Sequence, residues 1–227
     1  MTDTIISVQG EHSAWYPAER ATVHAGVHAY GADRDKVFAR AVEAAAAVRE
    51  LIENLFDKSA GPVTWWSSGS VRVWSERPWN NEGKQLAPVF HSAVDFTAKF
   101  KDFEALASWV EAAAGIPDVI VASIDWALTE STRTSAVAEV RSRAVKDAVA
   151  KASIFAQSIG LGSVTAIALA DPGMLGDPSG GGGPHPVFAG ASARMQSFDS
   201  SGGAPQLALK PEEIAVASVV DARFIAK

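Results

Sequence analysis

The stretch TRTSAVAEVRSRAVKDAVAKASIFAQSIGLG, Thr132 to Gly162, reads as one long helix with a narrow, alanine-rich buried stripe. Val137, Val140, Ala144, Ala148, Ala152, Phe155 and Ile159 recur at steps of three and four, the period of a single helical face. On the wet side, Glu139 stands one turn before Arg143 and Asp147 one turn before Lys151, the favourable orientation for such pairs. Gly160 and Gly162 then supply a stop, because glycine accepts the left-handed conformation of a C-terminal cap. Small buried side chains let a helix lie close to a sheet, so this segment predicts the spine of a helix-on-sheet layer.

Strand patterns surround it. Thr4 to Val8 is a short candidate, and Thr22 to Tyr30 alternates Val23, Ala25, Val27 and Ala29 against Thr22, His24, Gly26 and His28. A first helix runs from Asp33, its N-cap, to about Phe56, with Val37, Ala41, Ala44, Ala45, Val48, Leu51, Ile52 and Leu55 as its stripe. Val63 to Trp79 and Val89 to Phe100 form a hairpin around a loop of turn formers (Pro78, Asn80, Asn81, Gly83, Pro88). In the second arm Phe90, Ser92, Val94, Phe96, Ala98 and Phe100 face one way, and His91, Asp95, Thr97 and Lys99 the other. A short helix over Phe103 to Ala114, a strand over Val119 to Leu128, and strands over Val164 to Ala170 and Ile214 to Ala226 complete the set.

The expected class is therefore α+β, a largely antiparallel sheet covered on one face by two long helices and one short helix. At 227 residues the chain suits a single domain spanning 1–227, with a flexible Gly/Pro-rich insertion at about 171–205 that includes Gly180 to Gly183.

Composition removes several functions. A formal charge of −6 leaves no basic excess to neutralise phosphates, which argues against a nucleic-acid partner. The absence of cysteine rules out disulfides, thiolate catalysis and cysteine metal sites. No apolar run approaches the roughly 20 residues that span a bilayer. The start, MTDTIISVQGEHS, lacks the basic, apolar and cleavage regions of a secretory signal, so a cytoplasmic location is expected.

Candidate sites are few. Trp65, Trp66, Trp74 and Trp79 crowd one hairpin arm and its turn. Tryptophan offers large area with a polar tip, so the group reads as core beneath a helix, as a self-association surface, or as a platform for a small ligand. Trp65 and Trp66 point to opposite faces of an extended segment. His24 and His28 share a strand face, but four residues span about 13 Å, too far for one ion bound through bonds near 2.1 Å. His91 could be a cross-strand neighbour of either, which the sequence alone does not show; His12 and His185 lie near predicted loops. The Gly180 to Gly183 run lacks the strand, helix and lysine of a nucleotide-binding loop. No G-x-S-x-G, H-E-x-x-H or Walker pattern occurs, so no catalytic residue, metal or cofactor is expected.

With these elements placed, the chain resembles the SIMPL-domain family, formerly a domain of unknown function that includes bacterial periplasmic immunogenic and outer-membrane-antigen proteins. ISVQGEHSAWYPAERATVHAGV (Ile6 to Val27) is similar to its opening V-x-G-x-G…P strand pair, with Glu11-His12 where small residues are usual. VDFTAKFKDFEALASWVEAAAG (Val94 to Gly115) resembles its strand, helix and glycine, and VIVASIDWALTE (Val119 to Glu130) its next strand. The alanine-spaced helix with its glycine stop, VTAIALA, and the closing IAVASVVDARFIAK match in turn. The resemblance implies a non-enzymatic, self-associating structural or interaction protein, a homo-oligomer with a link to stress tolerance. The alternative is a small-ligand binder using the 65–79 tryptophans as platform and the glycine-rich loop as lid.

Overall fold

The structure, a computed structural model, describes residues 3–175 and 209–227. The insertion expected at about 171–205, with Gly180 to Gly183 and His185, lies outside the described residues beyond position 175. The chain is α+β, with antiparallel pairing in its strand ladders, and it divides into two compact units. Its strands do not form the one sheet expected from sequence; they form a three-stranded and a five-stranded sheet. One helix is about 10–12 Å across, the width of two or three strands spaced about 4.8 Å apart, so the long helix covers one small sheet and the other two helices cover the larger.

The first unit holds β1 (Thr4–Pro17), α3 (Glu130–Ser158), β7 (Val164–Ala170) and β8 (Glu213–Ala226), with strand order β1-β8-β7. The buried residues of α3 are Ala136, Val140, Ala144, Ala148, Ala152 and Ala156, each four apart. The last four pack against Ile6, Val220, Ala222, Phe224 and Ala226. A strict step of four drifts about 40° around the axis each time, so the stripe follows an inclined ridge. Phe155 and Ile159 fall off that ridge and are 54% and 57% exposed, which corrects their expected burial. The helix ends as the glycine pattern predicts. Gly160 has φ +79, its N–H donates to the Gln157 carbonyl and that of Leu161 to the Ala156 carbonyl, a Schellman stop.

β1 is an edge strand, and α3 covers its open side. The Glu11 N–H donates to Asp147 Oδ2 at 2.9 Å, and Lys151 Nζ donates to the Gln9 carbonyl at 3.1 Å. Two backbone groups that would otherwise invite a further strand are thereby occupied. Asp147 and Lys151 are paired at 2.8 Å. That lysine, then the Glu11 N–H, holds the Asp147 carboxyl below its usual range, and Asp147 in turn raises Lys151.

The second unit holds β2 (Arg20–Gly31), α1 (Arg34–Glu53), β3 (Val63–Ser68), β4 (Arg72–Glu76), β5 (Val89–Phe100), α2 (Phe103–Ala114) and β6 (Val119–Ala127). Strand order is β3-β5-β2-β6, with β4 also on β5. Asp33 caps α1 by accepting the Asp35 and Lys36 N–H groups, and Asp102 caps α2 through those of Glu104 and Ala105. Val37, Ala41, Ala44, Ala45, Val48 and Ile52 of α1 join Leu106, Trp109 and Ala113 of α2 over one face of the sheet. Phe100 is fully buried against Trp109, ring centroids 5.8 Å apart, and a side chain so placed contributes about 2–3 kcal/mol by removal from water. Phe103 meets Trp126 edge to face at 5.0 Å.

The expected hairpin arm over Val63 to Trp79 is two strands. β3 pairs with the C-terminal half of β5 and β4 with its N-terminal half. From Ser68 to Arg72 the arm advances four residues while β5 moves three, from Phe96 to Ala93, so one residue is extra. The joint is the small-residue stretch around Gly69, whose N–H still reaches the Asp95 carbonyl at 2.8 Å.

Candidate functional site

The site follows from the parity of β2 and β5. Ala21, Val23, Ala25, Val27 and Ala29, with Val94, Phe96, Ala98 and Phe100, turn toward the helices. The intervening residues therefore point the other way. Registers then set Tyr30 beside His91, His28 beside Ala93, Gly26 beside Asp95, and His24 beside Thr97 on this outer face. β3 and β4 add Trp65 opposite Lys99, Arg72 opposite Ala93 and Trp74 opposite His91; β6 adds Ile120 opposite Gly26 and Asp125 opposite Thr22. Tyr30, Trp65, Trp74 and Ile120 are exposed.

Charges on this face are paired across strands. Arg72 donates to Asp95 Oδ2 at 2.7 Å, and His24 Nε2 lies 3.0 Å from Asp125 Oδ2. His24 Nδ1 is 3.4 Å from the Thr97 hydroxyl. Three rings form a cross-strand stack: Trp74 and His91 at 5.2 Å, His91 and Tyr30 at 6.3 Å. His91 Nε2 stands 3.2 Å from Glu76 Oε1 but lacks the alignment of a hydrogen bond, leaving a buried nitrogen whose proton would find a carboxylate beside it. Gly26 leaves a shallow depression of about 200 Å3, bordered by His24, His28, Asp95, Thr97 and Ile120.

The four tryptophans singled out in the sequence do not converge. Trp65 is on the outer face with Lys99 Nζ 5.2 Å from its ring centroid, a cation–π contact. Trp66, opposite Ala98, turns inward and packs on the core. Trp74 belongs to the ring stack, and Trp79 is 67% exposed in the loop, bridged to Gln85. Between the β5 partners of Trp65 and Trp74 lie eight residue steps, about 26 Å at 3.3 Å each, so the group is spread along the sheet.

The family model for SIMPL, described as a protein of unknown function (DUF541), matches residues 6–224. The chain belongs to the SIMPL family. No curated protein matches it.

In this SIMPL chain the match runs through both units, from the buried Ile6 of β1 to the buried Phe224 of β8. Three histidines, His24, His28 and His91, share the outer face, although His91 sits opposite Tyr30 rather than opposite another histidine. Among the described residues no three His, Asp or Glu side chains converge to hold a metal, and no helix is long and apolar enough to cross a membrane. Sequence reading missed Tyr30, Arg72 and Asp125 as members of the face, whereas Asp95 was already on the His91 side of its strand. Alternation is visible within β2 and β5, but that β4 and β6 lie beside them is not.

At the end of this face Arg40 of α1 clamps the turn into β6. Its Nε and Nη2 donate to Asp118 Oδ2 at 3.0 and 2.6 Å, and the His28 N–H donates to the Asp118 carbonyl at 2.7 Å. Asp118 has φ +64, a left-handed conformation that aspartate tolerates better than most residues. The pair, chiefly its hydrogen bond, raises Arg40 above its ordinary value.

Proposed function

We propose that this SIMPL protein is non-enzymatic and acts by associating with copies of itself, as a structural or interaction protein. What carries the reading is the outer face of the five-stranded sheet. α1 and α2 pack on the opposite side, and Trp65, Trp74, Tyr30 and Ile120 are exposed on this one. Exposed aromatic area among pairable polar groups is the composition of an interface rather than of an ordinary wet surface. The family resemblance points the same way, and a role in stress tolerance belongs to this reading.

Light scattering coupled to size exclusion tests it: assemblies larger than one chain are expected at micromolar concentration, and a clean monomer at high concentration sinks the proposal. The second reading, a small-ligand binder, draws on the depression over Gly26 and its polar rim. Its volume is below the roughly 300–1,000 Å3 of usual ligand pockets, and the spread of Trp65 and Trp74 removes a shared platform. Titration with sugars and nucleotides, followed by tryptophan fluorescence, separates the two readings.

A further inference from the structure

We infer that two copies of the chain meet through the outer face of the five-stranded sheet, and that His24, His28 and His91 make this contact acid-labile. The inference rests on the self-association reading and adds to it the surface and its control.

The first support is area. Four strand positions across and twelve residues along β2 and β5 give a patch about 19 Å by 40 Å, roughly 700 Å2 once the shorter outer strands are allowed for. A stable pairing takes about 800 Å2 from each partner, so this face comes close to sufficing by itself.

Charge supplies the second. By strand parity the face carries Arg20, Arg72 and Lys99 against Glu76, Asp95 and Asp125, three of each sign. A face of one sign repels its own copy, whereas a balanced face can meet itself with opposite charges opposed. This balance is why the occupant proposed is a second copy rather than a strongly charged partner.

The third is where the histidines lie. Imidazole is the side chain whose ordinary titration falls between about pH 5 and 8. His24 faces Asp125 of β6 and Thr97 of β5; His28 lies over Gly26 near Asp95 of β5, with Arg72 of β4 in the same row; His91 faces Glu76 and Trp74 of β4 and Tyr30 of β2. When all three are neutral the face is balanced. Protonating them gives each copy three uncompensated positive charges, and two such faces repel.

The test uses the full chain at constant ionic strength, with association read by sedimentation equilibrium at about pH 7.5 and pH 5.5. Wild type is expected to associate at the higher pH and to show a dissociation constant about tenfold or more larger at the lower. The triple variant His24→Gln, His28→Gln, His91→Gln should lose most of that pH dependence. Ile120→Lys, an exposed position on the face, should weaken association at the higher pH with its circular dichroism unchanged. A monomer at both pH values overturns the self-association reading and this inference together. Assembly unaffected by Ile120→Lys, or equally strong at both pH values, overturns the inference alone.

Discussion

Gly10 of β1 lies so close to Ala148 of α3 that a Cβ built on the glycine would stand 2.7 Å from the Ala148 Cβ, and 2.1 Å from the Ala144 carbonyl oxygen. Neither gap admits a carbon atom. The alanine stripe and this glycine are two halves of one device, in which a small residue on each element lets strand and helix backbones approach until Asp147 and Lys151 reach the edge of β1. Gly10 is also the glycine of the V-x-G opening through which the sequence resembles its family.

Gly10→Ala is therefore expected to cost about 2–3 kcal/mol, since the nearest atoms are helix backbone and a Cβ fixed to it, which cannot step aside. Urea unfolding monitored by circular dichroism measures it. Gly83→Ala is the control: its φ is +75 but nothing lies within 4 Å, so only backbone strain of about 1 kcal/mol should appear.

Acid sensitivity of the first unit should depend on Asp147. Its folded pKa is depressed by Lys151 and the Glu11 N–H, so the folded state binds fewer protons than the unfolded state near the ordinary value of 3.8. The stabilisation is fully present above that value and is lost as pH falls through the lower folded one. The difference in melting temperature between wild type and Asp147→Asn is expected to be constant from about pH 5 upward and to shrink below about pH 4. A difference that grows on acidification would contradict the pairing.

The tryptophans should separate by face. Trp66→Ala removes a ring packed on the core and is expected to destabilise by about 2–4 kcal/mol, whereas Trp65→Ala and Trp79→Ala should each change stability by less than about 1 kcal/mol. Equal losses at Trp65 and Trp66 would mean that the strand parity of β3 is wrong.

Asp118 combines a left-handed backbone with the Arg40 clamp, so substitutions there divide by mechanism. Asp118→Ala loses both the carboxylate and the tolerance for φ +64, and about 2 kcal/mol is expected; Asp118→Asn keeps the backbone tolerance and should cost about half as much. Thermal melts of the two variants beside Arg40→Ala would show whether backbone or ion pair dominates.

Local patterns foretold most elements. α2 begins at Phe103 and ends at Ala114, and β7 runs from Val164 to Ala170, as the sequence predicts. Periods of two and near four, with capping aspartates and glycine stops, act through neighbours within a few residues and so survive in the linear text. The apolar pattern predicts β1 only to Val8, yet the strand extends to Pro17. Its second half has little apolar alternation; it belongs to a sheet with β8, some two hundred residues away in sequence, and Glu11 and Tyr16 bond to Asp147 and Glu139 of α3.

The fold class, the helices with their caps, and the alternating faces of β2 and β5 needed only nearby residues, because helix and strand propensity and periodicity are short-range properties. Pairing is long-range. The division of the strands into two sheets, the splitting of one tryptophan arm into β3 and β4, and the gathering of His24, His28 and His91 on one face arise from contacts that form only when distant segments share a core, and it is packing of those segments against one another that selects their partners.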